Sequence, residues 1–176
     1  MKNFQVEDKT TGKKYWISRA MAVCGIVIVR DNNNNYYVLV NKRGEGAPNY
    51  KGCWNLICGY LDWDETLKDA VSREVLEETK VDIPPSLWEF VYLADDPNKD
   101  DLQNVTVRYK TIITMDQFKR FSEVGKNKIA AYGGEVNEVA DIWLMPLNKE
   151  SIDSVEWAFN HKDIVKYEML HYNNGL

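Results

Sequence analysis

The sequence lacks the features that mark membrane-spanning, secreted and nucleic-acid-binding chains. No apolar run approaches the roughly 20 residues that a membrane-spanning helix needs, and the polar opening stretch, residues 2–14, has no apolar core of a secretory leader. The cytoplasm is therefore the expected compartment, with no membrane partner. An excess of basic charge is missing too. Lys and Arg number 22 against 27 Asp and Glu, a formal net charge of −5 with a pI near 5.1, so nucleic acid is not an expected partner either. A polyanionic substrate would have to be held by local Lys or Arg, or by metal.

Cysteine is scarce. Cys24, Cys53 and Cys58 are an odd number without a secretory signal, which argues against a disulfide framework. Cys53 and Cys58 lack the second pair or nearby histidine that a tetrahedral zinc site needs, so all three read as ordinary thiols. Internal repeats, low-complexity linkers and a second domain are also absent. The 176 residues, 44% hydrophobic, suffice for one core and read as a single domain, 1–176.

What is present reads as alternating strands and helices. Residues 19–30 and 36–40 are apolar and β-branched around the asparagine turn 32–35, which predicts a hairpin. A loop carrying Gly44, Gly46 and Pro48 leads to a short strand at 54–57. Residues 66–79 have helical composition, with Thr66 and Asp69 spaced as a capping box and Pro84–Pro85 enforcing a stop. Strands are expected at 88–94, 105–114 and 140–145, a short helix at 116–131, and a last helix from the N-cap Asn160 to about 171.

The helix at 66–79 carries unusual chemistry. At about 100° per residue, Leu67, Ala70, Val71 and Val75 share an arc of roughly 140° that must be the buried face. Glu74 and Glu78 fall within about 20° of Leu67, in that apolar stripe, and Glu77 lies beside Ala70. Three acids within one turn repel one another and are costly to desolvate, and a hard divalent cation is the compensating charge they fit. Arg73, one turn before Glu77, is placed to bridge a carboxylate, and Glu65 is a second partner for it. Taken alone, such acids also suit a solvated helix face, and the surrounding spacing decides.

From Gly59 the chain runs five residues to Glu65 and seven more to Arg73-Glu74-Val75-Leu76-Glu77-Glu78-Thr79-Lys80-Val81. This resembles the Nudix box, a loop-helix-loop motif spanning 59–81 here. Two positions depart from the family pattern: Lys80 stands where Gly is usual, and Ile57-Cys58 precede Gly59 where relatives resemble Pro-Gly-Gly. Residues 39–43 and 51–54 are similar to the family's lead-in, and 96–100 and 159–164 faintly resemble the subgroup that handles ADP-ribose, so the likeness covers roughly 19–172.

The resemblance implies an α/β fold, a Nudix α/β/α sandwich with a mixed β-sheet. It also implies hydrolysis of the diphosphate linkage of a nucleoside diphosphate derivative, ADP-ribose-like or a dinucleotide. Mg²⁺, or Mn²⁺ in its place, is then expected on Glu74, Glu77, Glu78 and the Cys58 carbonyl, with Arg73 orienting the acids. Glu138 is the chosen general base, with a box glutamate, Glu77 among them, or Glu135 in reserve; Gly133 and Gly134 would hinge that loop. Lys42 and Arg43 are candidates for contacting the diphosphate, and an ordinary surface pair is the competing reading. Trp63 is placed either to stack on a base or to pack, His161 looks structural, and His171 belongs to the terminal turn. The competing functions are a nucleotide sensor that binds without cleaving, RNA decapping, and the isomerase branch, whose cysteine motif finds no match at Cys53 or Cys58. A homodimer is compatible with all of these.

Overall fold

The computed structural model describes residues 2–98, 103–132 and 137–173. In chain order the elements are β1 (Phe4–Glu7), β2 (Lys14–Ile17), β3 (Met21–Arg30), β4 (Tyr36–Arg43), β5 (Trp54–Asn55), β6 (Ile57–Tyr60), α1 (Leu67–Thr79), a 3₁₀ turn (Pro85–Leu87), β7 (Glu89–Ala94), β8 (Val105–Thr114), α2 (Met115–Tyr132), β9 (Val139–Pro146), α3 (Lys149–Asp153) and α4 (His161–Asn173). None of the described helices is long and apolar enough to cross a membrane.

Strands β3 to β9 form one mixed sheet. β3 runs through its middle, buried from Ala22 to Val29, as its unbroken apolar run requires. One edge of β3 pairs in parallel with β8 along Met21–Arg30. The other edge is shared: Ala22–Gly25 pair with β6, and Ile28–Arg30 pair with β4. β4 in turn leaves β3, and its Asn41 and Lys42 pair with β5. The sheet therefore forks, and the chain 54–60 crosses the fork from β4 to β3.

Two cores flank the sheet, which makes the fold the expected α/β/α sandwich. Val23, Val27, Leu39, Ile57 and Val107 pack under Ala70, Val71 and Val75 of α1 and Phe121 of α2. Ile26, Ile28, Val38, Val40 and Met145 pack under Ile152 of α3 and Ile164 and Val165 of α4. Each such side chain contributes about 1.5–3 kcal/mol by leaving water.

Some elements differ from the sequence reading. The segment 54–57 is two short strands, because β5 and β6 have different partners. The helix expected at 116–131 is not short, running through Met115–Tyr132. The antiparallel hairpin β1–β2 and the short α3 were not anticipated. The hairpin exposes Phe4, Val6, Trp16 and Ile17, and the edge strand β7 exposes Phe90, Val91, Tyr92 and Leu93.

Candidate active site

Helix α1 starts as its capping residues dictate. Asp69 N–H donates to Thr66 Oγ1, and Thr66 N–H donates back to Asp69 Oδ2, both at 3.2 Å. The helical repeat then buries Ala70, Val71, Val75 and Thr79. On the flank of that face Glu74 and Glu78 turn into a cleft of about 1240 Å³, which opens beside the fork in the sheet. At its other end α1 stops on Lys80 in the left-handed conformation (φ 61°), whose N–H donates to Leu76 O. The family's usual glycine conformation is thus adopted by a lysine.

Arg73 ties the acids together. Its Nε and Nη2 donate to Glu65 Oε2 and Oε1 at 3.0 and 2.8 Å, a bidentate pair. Nη1 donates to Glu74 Oε1 (2.8 Å) and Glu77 Oε2 (3.1 Å), and Nη2 also donates to the carbonyl of Tyr60 (3.0 Å). The Glu65 carboxyl is held below its ordinary range, chiefly by the Arg73 hydrogen bonds.

Burial pushes Glu74 the other way, above its ordinary range, despite Arg73. Glu78 is driven further, to about 8, by burial first and by the charge of Glu74 second. Its Oε2 accepts from Asn41 Nδ2 at 2.7 Å, while the buried Asn41 Oδ1 has no hydrogen-bond partner among the described residues. Asn41 comes from β4 and is a site residue that sequence reading missed. An amide buried at the end of an apolar strand was the available signal.

Gly59 on β6 closes the other side of Glu74. Cys58, next to it, lines the cleft opposite Cys24 in register, and burial raises both thiols. Glu138 is exposed, lines the cleft, and its backbone carbonyl accepts from Gly44 N–H at 2.6 Å. Its negative charge contributes to raising Glu78. Glu135, Gly133 and Gly134 lie outside the described residues.

Of the two cations expected at the diphosphate, Arg43 lines the cleft and Lys42 does not. Arg43 is fixed by Asn49, donating from Nε to its carbonyl (2.9 Å) and from Nη2 to Oδ1 (3.1 Å). Besides Arg43 and Arg73, a further arginine, which sequence reading passed over, lines the same cleft. Arg108 stands on β8 beside Cys24 and above the Tyr92 ring, 5.3 Å from its centroid. Lys110, two residues on, is instead neutralised by the buried Glu168 at 3.1 Å.

His161 is buried and accepts from Leu56 N–H on Nδ1 at 3.1 Å, a structural contact. His171 is exposed near the end of α4. Trp63 is 84% exposed, edge-on to Tyr15, and outside both the core and the cleft wall.

The donor set suits a hard divalent ion: oxygen ligands, two of them part-buried carboxylates whose charged forms are disfavoured by desolvation, beside an amide oxygen without a partner among the described residues. As they stand, no three acid, thiol or imidazole groups among the described residues converge on one point, since Glu77 is turned out to Arg73 and half-exposed.

Comparison with known proteins agrees with this geometry. Over 165 residues, 93% of this chain and 81% of the relative, the chain is 26% identical to an ADP-ribose pyrophosphatase of Methanocaldococcus jannaschii. Its fold is similar to the NUDIX domain of Shewanella oneidensis NrtR complexed with ADP ribose, with TM-score 0.65 and 20% identity over 93% of this chain and 92% of that one. It is also similar to part of a bifunctional NMN adenylyltransferase/ADP ribose pyrophosphatase of Francisella tularensis, complexed with AMP and a Mn ion. There the TM-score is 0.58 and the identity 20%, covering 89% of this chain and 42% of that one. The family model of the NUDIX domain matches residues 19–165, and the chain, with its box acids on α1, belongs to the NUDIX domain family.

Proposed function

We propose that this protein hydrolyses the diphosphate linkage of a nucleoside diphosphate derivative of the ADP-ribose kind, using Mg²⁺ or Mn²⁺. The observation that carries the reading is the pair Glu74 and Glu78, two part-buried carboxylates side by side in the wall of a large cleft, with Glu78 raised to about 8. An arrangement so unfavourable without a cation is built to receive one.

Glu74, Glu77, Glu78 and the Cys58 carbonyl would hold the ion, which when bound neutralises the bridging phosphates and acidifies the attacking water. Asn41 orients Glu78 and Arg73 orients Glu74 and Glu77, which fixes the direction of their lone pairs. Glu138, at the mouth of the cleft, removes the proton from the attacking water. Arg43 and Arg108 neutralise the substrate's phosphates in an otherwise acidic wall. The relative from M. jannaschii and the ADP ribose in the S. oneidensis complex support the choice of substrate class.

The same reading places the protein in the cytoplasm, acting on a small molecule and not on nucleic acid. A homodimer is supported by the apolar side chains exposed on β1, β2 and β7, since an uncovered apolar edge strand invites pairing. A second reading, a sensor that binds without cleaving, draws on the S. oneidensis domain complexed with ADP ribose.

The test is a panel of ADP-ribose, dinucleotides, nucleoside triphosphates and sugar nucleotides incubated with Mg²⁺ or Mn²⁺, products being identified by mass. Turnover of ADP-ribose that stops with chelator and returns with either ion is expected. Turnover undiminished in chelator would overturn the metal assignment, and tight binding without any cleavage would favour the sensor.

A further inference from the structure

Tyr50 and Phe159 are the aromatic residues among the seven described non-glycine positions with positive φ, at 51° and 54°. Large side chains avoid this region, and a residue held there signals a constraint imposed by its surroundings. The two come from segments far apart in sequence, the loop before β5 and the turn before α4, yet their rings meet with centroids 4.7 Å apart and planes at 57°. Both rings line the cleft that holds Glu74 and Glu78. Neither is part of a core: Tyr50 is 49% exposed and Phe159 41%.

Strained backbone here does not serve burial. It presents two apolar rings to the solvent of the cleft. Their surroundings keep them there. The Arg43 guanidinium lies 5.4 Å from the Phe159 centroid and is anchored by Asn49, the residue before Tyr50, so one cation ties the two rims. On the far side, Ala158 N–H donates to Trp54 O (2.9 Å) and His161 stands 5.3 Å from Phe159, fixing the turn from below. A rigid aromatic corner beside a cation, in the same cleft as an acidic metal-type site, fits a planar heterocycle whose attached phosphate lies toward the acids.

We propose that Tyr50 and Phe159 form the stacking seat for the nucleobase of the substrate, and so decide that this cleft takes nucleotides and not base-free sugar phosphates. The proposal rests on the nucleoside diphosphate reading above. Base–aromatic stacking tolerates any base, so the seat selects for the presence of a base more than for its identity.

The test is calorimetric titration of the whole chain, with Mg²⁺, by AMP and by ribose 5-phosphate, which carries the same phosphate and sugar without the base. AMP should bind wild type, bind Tyr50→Leu and Phe159→Leu at least about tenfold more weakly, and bind Phe159→Tyr as it binds wild type. Ribose 5-phosphate should bind all four alike. AMP affinity unchanged in both leucine variants, no AMP binding to wild type, or an equal loss for the two ligands would overturn the seat. ADP-ribose turnover, measured separately, decides the hydrolase reading, so the two can fail independently.

Discussion

Gly59 and Glu74 approach so closely that a Cβ added to the glycine would lie 2.0 Å from Glu74 Oε1. Glycine at the head of the box is therefore a steric requirement of the acid one helix away. Gly59→Ala should displace Glu74 from Arg73 and lower kcat by roughly 10- to 100-fold, the usual cost of disturbing a ligand's support. Steady-state rates with ADP-ribose check this, and a wild-type rate would show that Glu74 is free to move.

Glu78→Gln should trade activity for stability. Loss of a charged ligand should cut kcat by about 10²-fold or more. In the unfolded chain this acid titrates near 4.5 and in the metal-free fold at about 8, so its contribution to stability is full below 4.5 and is lost as pH rises through 8. With chelator present, Glu78→Gln should therefore unfold at higher urea than wild type at pH 8.5 and at similar urea at pH 4. Lower stability of the variant at both pH values would contradict a carboxylate whose charged form the fold disfavours.

Glu138→Gln separates a base from a ligand. It should bind Mg²⁺ and substrate with near-native affinity yet turn over slowly, because only a proton transfer is removed. Weakened metal affinity would make Glu138 a ligand, and unchanged turnover a bystander.

His161 accepts on Nδ1 and is therefore neutral, and burial with the nearby Arg108 and Arg43 holds its pKa down at about 3. The unfolded chain takes up a proton near 6.5 that the native state refuses, so stability present above 6.5 is lost as pH falls toward 3. His161→Asn keeps an acceptor for Leu56 N–H without titrating. Between pH 6 and 4 the wild type should lose stability faster than the variant, by up to about 1.4 kcal/mol per pH unit in urea titrations. Parallel slopes would refute this origin of acid sensitivity.

Lys80 holds a left-handed C-cap at φ 61°, a conformation that costs a non-glycine residue about 1–2 kcal/mol. Glycine relieves that strain but gains freedom in the unfolded chain, so Lys80→Gly should stabilise by about 0.5–1 kcal/mol net, raising Tm by about 1–4 °C. A calorimetric scan decides it, and a fall in Tm would mean that the lysine side chain stabilises the fold in some other way.

Much of this was legible in the chain because the signals are local. The Thr66–Asp69 capping box, the helical phase that sets Glu74 beside Leu67, and the asparagine turn between β3 and β4 depend on neighbours within a few residues. The roles of Asn41, Arg108, Tyr50 and Phe159 were not legible, although Asn41 and Phe159 fall in the segments 39–43 and 159–164 marked by resemblance, since each acquires its role from a partner far away in sequence: Glu78 at 2.7 Å for Asn41, the Tyr92 ring for Arg108, and each other for the two aromatics. Lys42 and Arg43 both end a strand that faces the glycine-rich loop, but neighbours on a strand point to opposite faces, and the cleft takes Arg43. The hairpin β1–β2 was hidden by its composition, polar and charged outside Phe4, Val6, Trp16 and Ile17.

The fork in the sheet has a consequence for how such a protein can change. Where β3 and β4 part, the hydrogen bonds of each are completed by the short pieces β6 and β5. The loop that carries Tyr50 enters the fork between two ladders that close without it. Its length and side chains can therefore drift across generations while the ladders, and the acids leaning on them, stay in register. One scaffold can in this way inherit its chemistry and renegotiate its diet.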